Sequence, residues 1–283
     1  GTLRIEEIMA FITYLMQMVM SLMMIAMVFM YISRAQISLN RVNEVLKEEI
    51  DIVDPVKPVL PKKNEGKVSF DNVFFRYEGG SGEPVLEGIS FVANPGETIG
   101  ILGETGSGKS TLVNLMPRLY DVSQGAVYID GVDVRHYTIH ELRKKVAVIL
   151  QETILFTGTI RENIKWGNKD ATEDQVIAAA KAAQAHDFIM ELPNGYDTEL
   201  GQKGVNVSGG QKQRISIARA IIQNPNIIIF DDSTSAVDSL TEKRIRQSMM
   251  ESHRHCTKFM IAQKISSIKD ADKILVLKDG KIV

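Results

Sequence analysis

The sequence has little cysteine and no excess charge of either sign, and both shortages exclude classes of protein. Cys256 is the single cysteine among 283 residues, so an intrachain disulfide and a four-cysteine zinc site are excluded. The 33 Lys and Arg residues against 35 Asp and Glu give a net charge of -2. A protein that binds a nucleic-acid duplex needs a basic excess, so we expect no nucleic-acid partner.

Charged residues are missing altogether from residues 8–32, where eight of the 13 methionines lie. As a helix this run would be about 37 Å long, enough to cross a hydrocarbon core of about 30 Å. It is too long for a signal peptide and follows Glu6 and Glu7, and a buried core helix rarely lacks a charged face over this length. We therefore predict a membrane span. Arg34, Arg41 and Lys47 follow it, which predicts that the remainder of the chain is cytoplasmic.

Two boundaries divide the chain into three parts. Residues 33–49 are polar and amphipathic and are predicted to continue the helix out of the membrane, so residues 1–50 form one region. Pro55, Pro58 and Pro61 predict an extended linker at 51–65. Residues 66–283 form the second region. Because the sequence begins with Gly and not Met, we expect it to be a fragment of a longer protein.

The second region alternates short apolar strands with helices. A turn at Asp71–Asn72 is expected to interrupt the first strand. A capping box from Thr172 to Gln175 predicts a helix that runs to residue 185 within a helical insertion at about 153–207. The basic residues of 212–219 are expected to be surface and interface charges and not a nucleic-acid-binding patch. Strands are predicted at 89–93, 98–102, 126–129, 146–150, 227–230, 258–262 and 273–277, and helices at 110–119, 210–223 and 240–250. This alternation is typical of an α/β fold with a parallel sheet covered on both faces.

A glycine-rich motif lies between predicted strand 98–102 and predicted helix 110–119. It fits the pattern G-x-x-x-x-G-K-[ST] of a phosphate-binding loop. Lys109 is expected to reach the β- and γ-phosphates of a nucleotide, and the Ser110 hydroxyl to bind Mg²⁺. The alternative is a glycine-rich turn without a ligand. The residues of the motif are Gly103, Glu104, Thr105, Gly106, Ser107, Gly108, Lys109 and Ser110.

A second element of the same site is predicted at Asp231, which ends the apolar strand 227–230. A buried strand often ends at an acidic turn, so this feature alone is weak. Together with the phosphate loop about 120 residues earlier, it predicts that Asp231 lies beside the loop and helps to hold Mg²⁺.

The run Val207-Ser208-Gly209-Gly210-Gln211 resembles the ABC signature, whose usual form begins with Leu. With the phosphate loop and Asp231, residues 66–283 resemble an ABC nucleotide-binding domain, and the whole chain is similar to an ABC exporter half with its last transmembrane helix. The resemblance implies a P-loop NTPase fold with a RecA-like parallel sheet, an antiparallel β subdomain and a helical subdomain. It also implies ATP and Mg²⁺ as ligands, and a multi-pass protein of the cell membrane with a cytoplasmic ATPase domain.

The resemblance assigns further residues to the site. Thr111 joins the phosphate-binding set, and Gln151 is expected to contact Mg²⁺ and to sense the membrane domain. Tyr77 matches the aromatic residue that stacks on adenine; the alternative is a tyrosine that simply ends a strand. In this family two domains pair head to tail, so the signature residues are expected to cap ATP held by the partner subunit. Those residues are Ser208, Gly209, Gly210 and Gln211.

Two positions depart from the family pattern. Asp232 stands where the family has the catalytic Glu, and Gln263 stands where it has a switch His. Asp is one methylene shorter than Glu. Gln, unlike His, cannot take up a proton and become positively charged near neutral pH. The chain therefore resembles the degenerate-site subunit of a heterodimeric bacterial exporter, whose sibling subunit carries the competent Glu and His.

Three other functions remain open from the sequence. A homodimeric exporter would have two identical weak ATPase sites. A purely regulatory nucleotide-binding subunit would contribute to no hydrolysis. A soluble ABC protein that acts on DNA or ribosomes is opposed by the apolar run at 8–32 and by the low net charge. Family members also continue past the residue that ends this sequence, Val283, so we expect the C-terminal end to be cut as well.

Overall fold

The chain divides into two units, Gly1–Asp51 and Ile52–Val283. The computed structural model describes residues 4–283 except 62, 78–81, 232–238, 253, 263–264 and 266–267, together with the side chains of these described residues apart from 239, 242, 246 and 250–252. Asp232 and Gln263 therefore lie outside the described residues.

The first unit is one long helix, α1 (Ile5–Leu46), whose 42 residues extend over about 63 Å. No side chain of α1 is buried. Its most apolar 18-residue window has a mean hydropathy of 2.1, and among the described residues it is the one helix long and apolar enough to cross a membrane. The helix continues through the polar residues 33–46, as the amphipathic pattern predicts.

The second unit is organised around a mixed sheet of six strands within the described residues. Their order is β12-β11-β3-β10-β9-β6, with β12 antiparallel to β11 and the other neighbours parallel. The strands are β3 (Thr98–Gly103), β6 (Val146–Ile149), β9 (Ile227–Asp231), β10 (Thr257–Ala262), β11 (Lys273–Lys278) and β12 (Lys281–Ile282). The parallel order confirms the predicted α/β class and places the carboxyl ends of β3, β10, β9 and β6 along one edge.

A second sheet is antiparallel and packs on the first. Its order is β2-β1-β4-β5, from β1 (Val68–Phe75), β2 (Leu86–Ala93), β4 (Gln124–Ile129) and β5 (Val132–Asp133). The predicted turn at Asp71–Asn72 is wrong, because β1 runs through these residues. Its register against β2 shifts between Phe70 and Val73, and Asn72 has a φ of +46°, so the residue pair forms a bulge.

One apolar core lies between the two sheets. It joins residues of β1, β2 and β4 to residues of β3, β9 and β10, among them Val68, Ile89, Ile99 and Phe259. The helix after the phosphate loop, α2 (Lys109–Asn114), and α3 (Ile139–Lys145) also contribute to it. Helix α2 is shorter than predicted, because the chain forms turns after Asn114 and Arg118 takes a φ of +51°.

A second core lies on the other face of the six-stranded sheet, against Ile228 and Phe230 of β9, and extends into the helical insertion. It packs α4 (Ile160–Lys165), α5 (Glu173–Ala182) and α6 (His186–Glu191) against α7 (Gly209–Ile222), and it reaches α8 (Ser239–Ser252) through Ile245 and Met249. The predicted capping box at Thr172 is confirmed at the start of α5, although the helix ends at Ala182 and not at 185. Two short strands, β7 (Gly158–Thr159) and β8 (Glu199–Leu200), pair within this region and were not predicted.

The segment that opens the second unit is fastened to it by hydrogen bonds. Arg118 donates to the Val53 carbonyl at 3.1 Å, and the Asp54 carboxylate accepts from the backbone N–H of Ile139 at 2.7 Å. Val59 N–H donates to the carbonyl of His136 at 2.8 Å. Residues 53–59, which we call the strap, thus lie on the surface of this unit and are hydrogen-bonded to it.

Candidate functional site

The phosphate loop joins the central strand β3 to α2, as its sequence pattern predicts. Gly106 and Gly108 have φ angles of +86° and +97°, which residues with a Cβ adopt only with strain. The first bond inside α2 is donated by Leu112 N–H to the Gly108 carbonyl at 2.8 Å. The N–H groups of Lys109, Ser110 and Thr111 therefore have no intrahelical acceptor and are available to an anion.

Close packing also requires glycine at position 108. A Cβ there would lie 2.8 Å from Leu86 Cδ2 and 3.1 Å from the Val85 carbonyl oxygen, whereas a Cβ on Gly106 would meet nothing within 4 Å. The loop is thus pressed against the start of β2 on one side and open on the other. An open, glycine-built loop is a shape that accommodates a phosphate chain.

The side chain of Lys109 folds back onto its own loop. Its ammonium group donates to the carbonyl oxygens of Gly103 at 2.9 Å and Glu104 at 2.6 Å. These two hydrogen bonds hold the ammonium group of Lys109 next to the loop. Its positive charge would there attract the anionic oxygens of a nucleotide.

The hydroxyl of Ser110 donates to the Asp231 carboxylate at 3.1 Å. Both residues line a cavity of about 250 Å³, and Gln151, which follows β6, lines the same cavity. A hydroxyl, a carboxylate and an amide oxygen are ligands that Mg²⁺ accepts, so this donor set fits the metal that the sequence predicts. The other lining residues are Val85, Thr105, Gly106, Gly108, Lys109, Thr111 and Ile261.

Three predicted residues of the loop face a different cavity. Gly103, Glu104 and Ser107 line a space of about 650 Å³ between the loop and the end of β11. Within the described residues the Ser107 hydroxyl is buried without a hydrogen-bond partner. Because a buried hydroxyl is costly to leave unpaired, Ser107 is available to a ligand atom or a water molecule.

Tyr77 lies just beyond β1 and beside the phosphate loop. Its hydroxyl is 2.9 Å from the Thr111 hydroxyl. Its ring makes edge-to-face contacts with Phe75 and with Tyr120, at centroid distances of 4.8 Å and 5.1 Å. With 38% of its surface exposed, the ring has area left for a planar base. Tyr120 was not predicted from the sequence.

The signature residues begin α7. Ser208 is its N-cap, and its hydroxyl accepts from Gln211 N–H at 3.3 Å while the Gln211 side chain accepts from Ser208 N–H at 2.9 Å. Neither these two residues nor Gly209 and Gly210 are among the described residues that line the 250 Å³ cavity. The signature is therefore presented at a helix N-terminus, apart from this chain's own phosphate loop.

Arg219, near the end of α7, was expected to be a surface or interface charge; it is half-buried and is hydrogen-bonded within its own unit. Its guanidinium donates to the Asn163 carbonyl and amide oxygens, both at 2.9 Å, and to the Ile154 carbonyl at 3.1 Å. It also lies over the Phe156 ring, 5.3 Å from the centroid. Burial lowers the pKa of Arg219 from its ordinary value.

The result of these contacts is a physical link between two parts of the site. Arg219 and the fully buried Asn163 tie the signature helix to the segment that follows Gln151. No local pattern in the sequence reveals this link, because its partners are 56 and 65 residues away.

The predicted catalytic positions Asp232 and Gln263 lie outside the described residues. Each follows a described strand directly: Asp231 ends β9 and Ala262 ends β10, and these two strands are parallel neighbours.

Comparison with known proteins agrees with this geometry. A family model described as "ABC transporter" matches residues 86–235, more than half of the chain, and the chain belongs to this family. It is 45% identical over all of its 283 residues to the ABC transporter ATP-binding protein YfiB of Bacillus subtilis, of which it covers 48%. It is 42% identical, again over its whole length, to the fatty acid ABC transporter ATP-binding/permease protein of Mycobacterium tuberculosis, of which it covers 44%.

A solved structure of a bacterial Atm1-family ABC exporter with ATP bound is also similar to this chain. The TM-score is 0.83 at 38% sequence identity, over 96% of this chain and 47% of that one. This likeness confirms the P-loop NTPase fold expected from the sequence. The chain spans about half the length of the curated relatives that it matches.

Proposed function

We propose that this chain is the ATPase-bearing part of an ABC exporter subunit that pairs with a sibling subunit in the membrane. In this proposal residues 1–50 end the transmembrane domain, 51–65 form a linker and 66–283 form the nucleotide-binding domain, with its helical subdomain at about 153–207. The family match and the relative named as an ATP-binding/permease protein support it. The complete subunit would be a multi-pass protein of the cell membrane, with this domain on the cytoplasmic side.

The Ser110–Asp231 pair is the observation that carries the proposal that the domain binds ATP with Mg²⁺. It places a hydroxyl and a carboxylate in one cavity with Lys109 and the open side of the glycine loop. The loop would hold the phosphates, Tyr77 the adenine, and Ser110, Gln151 and Asp231 the metal. Bound Mg²⁺ supplies electrostatic stabilisation of the charge that develops during phosphoryl transfer.

We further propose that this chain's own site hydrolyses ATP slowly or not at all. The support is the sequence: Asp232 replaces the family's Glu, and Gln263 replaces its His. A general base must lie within about 2.6–3.2 Å of the group that it deprotonates or orients. Shortening the side chain by a methylene moves the carboxylate by about 1 Å, and a displacement of this size can cost about 100-fold in rate.

The signature would serve the site of the sibling subunit. The Ser208 hydroxyl accepts a bond from Gln211 N–H, which leaves its hydrogen free to donate to a phosphate oxygen of ATP held by the partner. The N-terminus of the 14-residue helix α7 adds a partial positive charge. In this assembly, ATP at the slow site stabilises the interface while the competent site turns over.

The experiment is site-resolved hydrolysis in the assembled transporter, with and without the paired changes Asp232→Glu and Gln263→His. We expect slow turnover at the phosphate loop of this chain and a large increase after both changes. Fast turnover without the changes would show that the site is not degenerate. ATPase activity of this subunit alone would favour the homodimeric exporter, and an unaltered complex ATPase in Ser208→Ala would favour the regulatory subunit.

A further inference from the structure

The hydrogen bond between Tyr77 and Thr111 joins two residues with separate expected tasks. Tyr77 follows β1 of the antiparallel sheet and is expected to hold the base. Thr111 is the third residue of α2, is 7% exposed and lines the cavity shared by Lys109, Ser110 and Asp231. The 2.9 Å distance between the two hydroxyl oxygens lies within the range of O–H···O bonds. A base-binding residue is thus bonded directly to a phosphate-binding residue.

The chemistry of the two hydroxyls favours one direction for this bond. Each carries a single hydrogen, and each can also accept. A phenolic hydroxyl is a stronger acid, and hence a better donor, than an aliphatic hydroxyl. When Tyr77 donates, Thr111 accepts and keeps its own hydrogen for another acceptor. A phosphate oxygen of a nucleotide in the shared cavity would be a strong, negatively charged acceptor for that hydrogen.

The neighbouring rings hold the Tyr77 hydroxyl in place. Phe75 and Tyr120 contact the ring at interplanar angles of 87° and 89°, and Phe75 is only 3% exposed. The backbone before Tyr77 is also bonded, because the Phe75 carbonyl accepts from Val85 N–H at 2.7 Å and Arg76 N–H donates to Ser123 Oγ at 3.1 Å. The ring orientation, and with it the hydroxyl position, is set before any nucleotide binds.

We infer that Tyr77 is a positioning residue for the phosphates as well as a platform for the base. Its hydroxyl orients the Thr111 hydroxyl so that the Thr111 hydrogen points to a nucleotide phosphate. The inference rests on the proposed ATP-binding function of this site. It differs from a stacking role in one measurable respect, because the hydroxyl effect does not need a base in the ligand.

The test uses inorganic tripolyphosphate, which has phosphates and no base. Its dissociation constant is measured by calorimetry on the full chain in detergent micelles, in parallel with that of ATP. We expect Tyr77→Phe, which keeps the ring, to weaken tripolyphosphate binding about three- to tenfold, the effect of one hydrogen bond. Thr111→Val is expected to weaken it at least as much, and the double variant to be no weaker than Thr111→Val.

Two further variants control for structure. Thr111→Ser keeps the hydroxyl and is expected to bind tripolyphosphate nearly as the unaltered chain does. Tyr120→Phe removes a hydroxyl from the neighbouring ring and is expected to leave tripolyphosphate binding unchanged. A melting temperature within about 2 °C of the unaltered chain shows that each variant is folded.

Two results would overturn the inference alone. In the first, the unaltered chain binds ATP, and Tyr77→Phe binds tripolyphosphate as tightly as the unaltered chain does. In the second, Tyr77→Phe weakens tripolyphosphate binding further when Thr111 is already replaced by Val. Failure of the unaltered chain to bind ATP would overturn the proposed function together with the inference.

Discussion

Ser110 and Asp231 are 121 residues apart in the chain, and their side-chain oxygens lie 3.1 Å apart. The contact exists because β3 and β9 are both neighbours of β10 in the parallel sheet, so that the chain segments leaving their carboxyl ends meet at one edge. Ligand sites of open α/β sheets lie at this edge. The pair therefore defines where a metal–nucleotide complex would bind.

Replacing either member of this pair should remove the contribution of Mg²⁺ to ATP binding. We expect Ser110→Ala and Asp231→Asn to weaken ATP binding about tenfold or more in the presence of Mg²⁺, and to change it little in EDTA. Calorimetric titrations with and without Mg²⁺ measure both values. Lys109→Met is the contrasting variant, because loss of its charge should weaken binding in both buffers. Equal losses in both buffers for Asp231→Asn would contradict its role as a metal ligand.

The signature serine can be separated from its capping role by comparison with Thr172. Both residues are N-caps that form a capping box, Ser208 with Gln211 and Thr172 with Gln175. Alanine at either position should cost about 1 kcal/mol of stability. Only Ser208→Ala should lower the ATPase rate of the assembled transporter. Unfolding curves and ATPase assays on both variants test this expectation, and an equal fall in rate for Thr172→Ala would assign the effect to stability.

Gly108 should tolerate substitution much less well than Gly131. Both have positive φ angles, +97° and +78°, so alanine pays a backbone cost of about 1–2 kcal/mol at each position. At Gly108 the new Cβ also meets Leu86 Cδ2 at 2.8 Å, whereas at Gly131 it meets nothing within 4 Å. We expect Gly108→Ala to unfold at a lower denaturant concentration than Gly131→Ala and to lose ATP binding. Equal midpoints would show that the loop moves away from β2 at no cost.

Acid should weaken the fold through Glu97. Partial burial raises its pKa, but hydrogen bonds from Lys273 and Asn94 outweigh this effect and hold the pKa of Glu97 at about 2. The pKa of Glu in an unfolded chain is about 4.3. The stabilisation of the fold by Glu97 is therefore complete above that pH and is lost as the pH falls toward about 2. The stability difference between the unaltered chain and Glu97→Gln should therefore be constant from pH 7 to about 5 and shrink below that range.

Urea unfolding curves across this pH range measure the difference. Lys273→Met removes the charged partner, whose ammonium lies 2.8 Å from the Glu97 carboxylate, and should reduce the same pH dependence. A stability difference that persists unchanged at pH 2.5 would be inconsistent with the assigned bonds.

Local features of the chain predicted the centre of the site. The glycines of the phosphate loop, the apolar run before Asp231 and the cap at Thr172 each act over a few residues, so their consequences can be derived from the sequence. Parallel pairing then follows from the strand–helix alternation. Family resemblance added Tyr77 and the signature, whose roles have no local physical signal.

The parts that were missed depend on contacts between distant segments. Arg219 is bound to Asn163 and Ile154, and Tyr120 packs against Tyr77, in each case across 40 or more residues of chain. The bulge at Asn72 arises because β1 pairs with β2 and β4 on its two sides. Such contacts are set by tertiary packing, which no window of the sequence contains.

The strap at residues 53–59 affects where the second unit can be joined to another protein. Arg118, Asp54 and Val59 fasten the strap to the same unit that carries the phosphate loop. A chimaera joined at residue 66 would leave the Arg118 guanidinium and the N-terminus of α3 facing a foreign sequence. A junction placed before Ile52 keeps these partners together, so the graft should begin there.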